Sequence, residues 1–127
     1  MQDGYWLRGI RGATTVDKDD ADEILTATRE LLVEMLAVNK IDDFDVIASI
    51  FVTTTPDLHA TVPAEGARAL GMTLVPLLCF QEIPVAGRLE KCIRVMMQVN
   101  TTKSQAQMRH VYLKGARSLR PDLSSAQ

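Results

Sequence analysis

The stretch Cys92-Ile93-Arg94-Val95-Met96-Met97-Gln98-Val99 decides how this chain is read, because it is a strand pattern with a charge at its heart. Successive side chains of a strand alternate between faces. Ile93, Val95, Met97 and Val99 therefore share one wholly apolar face, and Cys92, Arg94, Met96 and Gln98 share the other. A guanidinium cannot shed its proton to escape burial, so Arg94 needs an anion or hydrogen-bond acceptors. Two answers stand open: a carboxylate of the same chain, or an anionic or oxygen-rich ligand.

Outward from this strand, spanning 91–101, the remaining elements follow from pattern. Residues 5–16 open the chain as a β segment, with Gly9 and Gly12 bracketing Ile10-Arg11, a sign of close backbone approach or a bulge. Asp17 to Asp20 form a turn. Asp20 is an N-cap candidate with Glu23 three residues on, as in a capping box. From Ala21 the period turns helical: Ile24, Leu25, Leu31, Leu32, Met35 and Leu36 make one apolar stripe, and Asn39 ends it. Residues 46–54 are β-branched and apolar, a second strand broken by Pro56-Asp57. Pro63 suits the first turn of a short helix ending near Gly71. A third strand is expected over 73–80, with Pro76 implying an edge or bulge. A loop follows over 83–87, a polar turn over 103–108, a short extended piece over 110–113 and a mobile tail over 121–127. The order βαβαββ makes the class α/β or α+β: one mixed sheet packed on one long helix, with helices on one face. The other face is left bare and apolar, which predicts self-association.

The chain has 127 residues, enough for one domain, 1–127, with a substantial core. Its net charge of −2 gives no basic field, which argues against nucleic acid as the main partner. Nine of its fourteen basic residues are arginine, the type suited to planar anions. Cys79 and Cys92 lack CxxC spacing and fall in predicted strands. Buried free thiols in a cytosolic protein are favoured, with a disulfide left open. No apolar run has the length of a signal peptide or a bilayer span, so a cytoplasmic protein with no membrane partner is expected.

Chemistry-bearing residues are sparse. Glu82 directly follows the third strand, and a hairpin would bring it towards Arg94; pattern alone does not separate a plain ion pair from a polar ligand site. Arg8 and Ile10 share one parity of the first strand and Arg11 takes the other, so Arg11 is expected to face inwards. Arg68 in the short helix and Arg120 before Pro121 read as surface charges, and Tyr112 as a half-buried ring with a wet hydroxyl. His59 and His110 stand alone, without metal-ligand spacing. No P-loop, GxGxxG, GxSxG or Ser/His/Asp pattern is present.

Five blocks stand in order along nearly the whole chain: Arg8-Gly9-Ile10-Arg11-Gly12-Ala13-Thr14-Thr15-Val16, Thr55-Pro56-Asp57-Leu58-His59-Ala60, Cys92-Ile93-Arg94-Val95-Met96-Met97, Arg109-His110-Val111-Tyr112-Leu113 and Leu119-Arg120-Pro121-Asp122-Leu123. Together they resemble the AroH-class monofunctional chorismate mutases; each alone is weak. The resemblance implies the Claisen rearrangement of chorismate to prephenate in aromatic amino acid biosynthesis, without cofactor or metal. It also implies a homotrimeric pseudo-α/β-barrel with three sites at subunit interfaces. By position, Arg94 matches the arginine on the breaking ether oxygen. Glu82 matches the carboxylate that binds the ring hydroxyl, and Cys79 the cysteine at that hydroxyl. Arg11 and Tyr112 match residues on a substrate carboxylate, and Arg68 and Arg120 match arginines near the mouth. Leu119, Leu78, Leu77, Ala64 and Val62 take lining positions. Val62 stands where an aromatic is common, Glu65 where some members carry lysine, and Leu78 where some carry a polar residue. Glu65 thus removes a positive charge that would help to capture a dianion.

A pericyclic, unimolecular reaction needs neither nucleophile nor proton transfer, which fits the missing triads. It needs a fixed cation where negative charge grows. Two rivals stand beside it: a non-catalytic trimeric protein binding small carboxylates on the same fold, and a small deaminase on a similar trimeric barrel.

Overall fold

A computed structural model describes residues 4–119. Five strands, β1 (Trp6–Thr15), β2 (Ile47–Thr54), β3 (Leu77–Gln81), β4 (Cys92–Thr101) and β5 (Val111–Tyr112), form one sheet in the order β3-β2-β4-β1-β5. β4 runs antiparallel to both β1 and β2, while β3 lies parallel to β2 and β5 parallel to β1. The sheet is therefore mixed. Two helices, α1 (Ala21–Val38) and α2 (Ala64–Ala69), pack on it. Three short 3₁₀ turns, Phe44–Val46, Gln105–Gln107 and Lys114–Ser118, complete the connections. Among the described residues no helix is long and apolar enough to cross a membrane.

The period-two expectation for β4 holds. Ile93, Val95, Met97 and Val99 are buried in the main core with Ile10, Ile50 and Val52 of the neighbouring strands and Ile24, Leu31, Leu32 and Met35 of α1. At Gly12 helix and sheet approach closely: a methyl group there would overlap the Met35 sulfur and crowd a Leu31 methyl. The bracketed glycine pair thus marks close approach. At the start of α1 the Asp20 carboxylate accepts the Glu23 N–H at 3.1 Å, as a cap should. The Glu23 carboxylate does not close the expected box onto Asp20. It reaches further back, accepting from Asp17 N–H and Lys18 N–H. Asn39 ends the helix and does more, as Nδ2 donates to the carbonyls of Met35 and Arg109 while Oδ1 accepts the Arg109 N–H.

Several boundaries and the exposure of one cysteine differ from expectation. Residues 73–76 are not strand; β3 starts after Pro76, whose carbonyl accepts the Ile50 N–H at 2.9 Å. Proline lacks the donor to enter the ladder but keeps the acceptor, and β3 is an edge strand, as that residue implied. Val46 belongs to a 3₁₀ turn capped by Asp43, so β2 starts at Ile47. Cys79 is exposed on the edge strand rather than buried, whereas Cys92 is fully buried; both are free thiols. The expected tail and Arg120 lie outside the described residues.

Candidate active site

Across the open face of the sheet, the strand registers set five residues side by side. Tyr112 of β5 pairs with Ala13 of β1, Ala13 with Arg94 of β4, Arg94 with Thr53 of β2, and Thr53 with Phe80 of β3. The adjacent row is Arg11, Met96, Phe51 and Leu78. Arg11 thus lies on the face opposite the helices, not in the core; Ile10 is the buried member of that pair. Arg8, on the other parity, donates from Nε to the Lys103 carbonyl at 3.1 Å, and its guanidinium lies over the Trp6 ring.

Arg94 sits at the centre of the first row, with its side chain 26% exposed. Its Nε lies 3.2 Å from Glu82 Oε2. The approach is an ion pair without hydrogen-bond alignment, since Nε is buried and lacks a hydrogen-bond acceptor among the described residues. The same carboxylate oxygen accepts the Thr53 hydroxyl at 2.6 Å, and the Glu82 N–H donates to the Thr54 carbonyl at 2.8 Å. Glu82 and Arg94 therefore meet as expected, but not through a hairpin, because β2 lies between β3 and β4. Thr53 went unrecognised in the sequence; its signal is visible only once the β2–β4 register sets it opposite Arg94.

Arg94 borders two hollows. One, of about 660 Å³, lies between residues 55–57 and the loop 81–90, with Glu82 on its wall. The other, of about 260 Å³, is shared with Arg11, Phe51 and Thr53. Phe51 and Phe80 meet edge to face beside it, centroids 6.0 Å apart. The larger loop is anchored at its end by Asp57, whose carboxylate accepts the Lys91 N–H and the Thr55 hydroxyl. Cys92, two residues from Arg94, has its thiol pushed up to about 11 by burial; the Arg94 charge opposes that shift and the Glu82 and Asp57 charges add to it. It is a neutral thiol at physiological pH.

The remaining sequence candidates divide. Tyr112 is more buried than expected: its hydroxyl is shielded from solvent and has no hydrogen-bond partner among the described residues. It packs with Ala13, Cys92, Ala116 and Leu119. Arg68 is exposed on α2, as its surface-charge reading expects, and Val62 and Leu78 are exposed. Ala64 is buried and Leu77 packs against the main core. None of Arg68, Cys79, Leu77, Leu78, Ala64 and Val62 borders either hollow at Arg94. One chain thus gathers Arg94, Glu82 and Arg11, and holds the β3 and α2 candidates apart from them.

This geometry coincides with a family match. The model for chorismate mutase type I matches residues 7–123. The chain belongs to that family. Among relatives, the chorismate mutase AroH of Thermus thermophilus is 50% identical over 121 residues, covering 95% of this chain and 99% of that one. The chorismate mutase AroH of Bacillus subtilis is 50% identical over 119 residues, 93% of each chain. A solved chorismate mutase from Clostridium thermocellum superposes with a TM-score of 0.85 at 52% identity, covering 87% of this chain and 97% of that one. The family places the chain among the isomerases.

Proposed function

We propose that the protein converts chorismate to prephenate by a Claisen rearrangement, in which the ether C–O bond breaks as a C–C bond forms, with no covalent intermediate and no proton transfer. The observation that carries the reading is Arg94, a fixed cation bordering two hollows and steadied by Glu82 and Thr53. Arg94 donates to the ether oxygen, which gains charge only as the bond breaks, so the contact favours the transition state over the ground state. Glu82 accepts from the ring hydroxyl and limits the positive charge of the empty site. Arg11 and Tyr112 hold a carboxylate. Cys79 serves the ring hydroxyl, and Arg68 and Arg120 draw the dianion to the mouth. Leu119, Leu78, Leu77, Ala64 and Val62 line the site and favour the compact diaxial conformer.

The site is completed between subunits of a homotrimer. Two features support this. The β3 and α2 candidates stand away from the hollows at Arg94 in a single chain. Leu78, Phe80 and Met96 on the open sheet face, with Ile83 and Val85 beside them, are exposed apolar surface of the kind an obligate interface covers. The chain acts as one domain, in the cytoplasm, in the aromatic amino acid pathway.

The test is direct. Purified protein is incubated with chorismate, its ultraviolet absorbance is followed, and prephenate is quantified alongside the mass of the assembly in solution. Stoichiometric prephenate from a trimer is expected. Chorismate bound but unconverted would leave a carboxylate-binding protein, and ammonia release would point to the deaminase alternative.

A further inference from the structure

β1 lies between β4 and β5. Its ladder with β5 starts only at Gly12 and Val111. One residue earlier, the Arg11 N–H donates to Nδ1 of His110 at 2.9 Å. Past the pairs, Leu113 N–H donates to the Ala13 carbonyl. An imidazole thus closes one end of a backbone ladder. A ring nitrogen accepts only while unprotonated, so this bond belongs to the neutral ring with its proton on Nε2. Asn39 pins both backbone groups of Arg109, which gives His110 a fixed base. The hollow that His110 borders, about 500 Å³, is shared with Arg11 and completed by Gly9, Met96, Gln105, Ala106 and Met108. Of these walls Arg11 alone carries a charge, and Asn39, bonded to the residue before His110, is neutral. Burial first, and the Arg11 charge second, hold the His110 pKa below its ordinary value.

We propose that neutral His110 is a positioning residue for Arg11: it holds the backbone from which the guanidinium reaches a substrate carboxylate, and protonation of the ring releases it. The inference rests on the carboxylate role proposed above for Arg11.

The test compares steady-state conversion of chorismate by wild type, His110→Asn, His110→Gln, His110→Ala and Arg11→Ala between pH 5 and 8. Asn presents its oxygen where Nδ1 stands, whereas Gln presents it one bond further out. At pH 7.5, His110→Asn is expected to keep the wild-type KM. His110→Gln and His110→Ala raise KM by roughly three- to tenfold with kcat within about twofold. Wild-type KM rises on acidification, at a pH below the ordinary imidazole range, and His110→Asn abolishes that rise. His59→Gln retains it. Equal KM in the Asn, Gln and Ala variants, with Arg11→Ala still impaired, overturns the inference and leaves the substrate reading intact. An unchanged KM in Arg11→Ala removes the carboxylate role itself, and the inference with it. Circular dichroism of each variant separates loss of fold from loss of positioning.

Discussion

Arg94 and Glu82 face each other over an intervening strand, Nε to Oε2 at 3.2 Å, and Thr53 of that strand bonds the same carboxylate oxygen. The carboxylate is thus held from its own side by a hydroxyl, and the arginine is left unaligned with it. A fully aligned pair would satisfy the guanidinium and compete with substrate. This arrangement keeps a cation in place with a donor to spare.

Arg94→Ala should lower kcat by about 10²–10³, or roughly 2.7–4 kcal/mol of transition-state stabilisation. Arg94→Lys should also be poor, because a point charge does not reproduce the planar fork. Chorismate turnover by absorbance measures both, and near wild-type kcat in Arg94→Ala would remove the electrostatic mechanism.

Thr53→Val deletes one hydroxyl and keeps the shape. Glu82 then loses its donor, and kcat should fall by about ten- to a hundredfold, on the scale of one hydrogen bond to a charged group. Thr53→Ser should restore it. Matched melting temperatures for the three proteins would assign the loss to the site rather than the fold.

Gly12→Ala should destabilise the protein by about 1–3 kcal/mol through overpacking against Met35 and Leu31. Adding Met35→Ala should recover less than additive loss, since the two changes share one space. Urea midpoints at constant slope report the coupling.

Asn39→Asp should be worse than Asn39→Ala. The acid keeps an acceptor for the Arg109 N–H but sets a carboxylate against the Met35 and Arg109 carbonyls. Leaving such buried groups unpaired costs about 1–3 kcal/mol, more when a charge is involved. Thermal unfolding at pH 7 ranks the pair.

A thiol reagent at pH 8 should modify Cys79 quickly and Cys92 only on unfolding, since one is exposed and the other buried with its pKa near 11. The raised pKa also fixes a sign. Below 9.0, the ordinary thiol value, folded and unfolded states are both protonated. As pH rises from there towards about 11, the unfolded thiol ionises first, and stability falls. Cys92→Ser should flatten that alkaline decline in denaturant titrations.

Alternation carried the sequence far. It separated the two faces of β4 and found α1 with its cap and stop. It failed where information is lateral. Residues 73–76 are expected to be strand, yet Pro76 can only accept at the sheet edge. Glu82 was expected near Arg94 for the wrong reason, because strand order is not written in spacing. Arg11 was placed inwards because parity says which residues share a face and not which face is the core. Thr53 escaped notice and His110 read as an isolated histidine, because each acts through a neighbour far away in the chain, at separations of 29 and 99 residues.

The row Tyr112–Ala13–Arg94–Thr53–Phe80 draws one residue from every strand, and its members span from Ala13 to Tyr112. A chain emerging from the ribosome cannot complete it until the last strand is out. Every bond in it closes a long loop, so it is assembled late in folding as well as late in synthesis. A chain that stops short of β5 can still set Arg94 between Ala13 and Thr53, but it lacks Tyr112, so the carboxylate contact proposed for that tyrosine arrives only with the last strand.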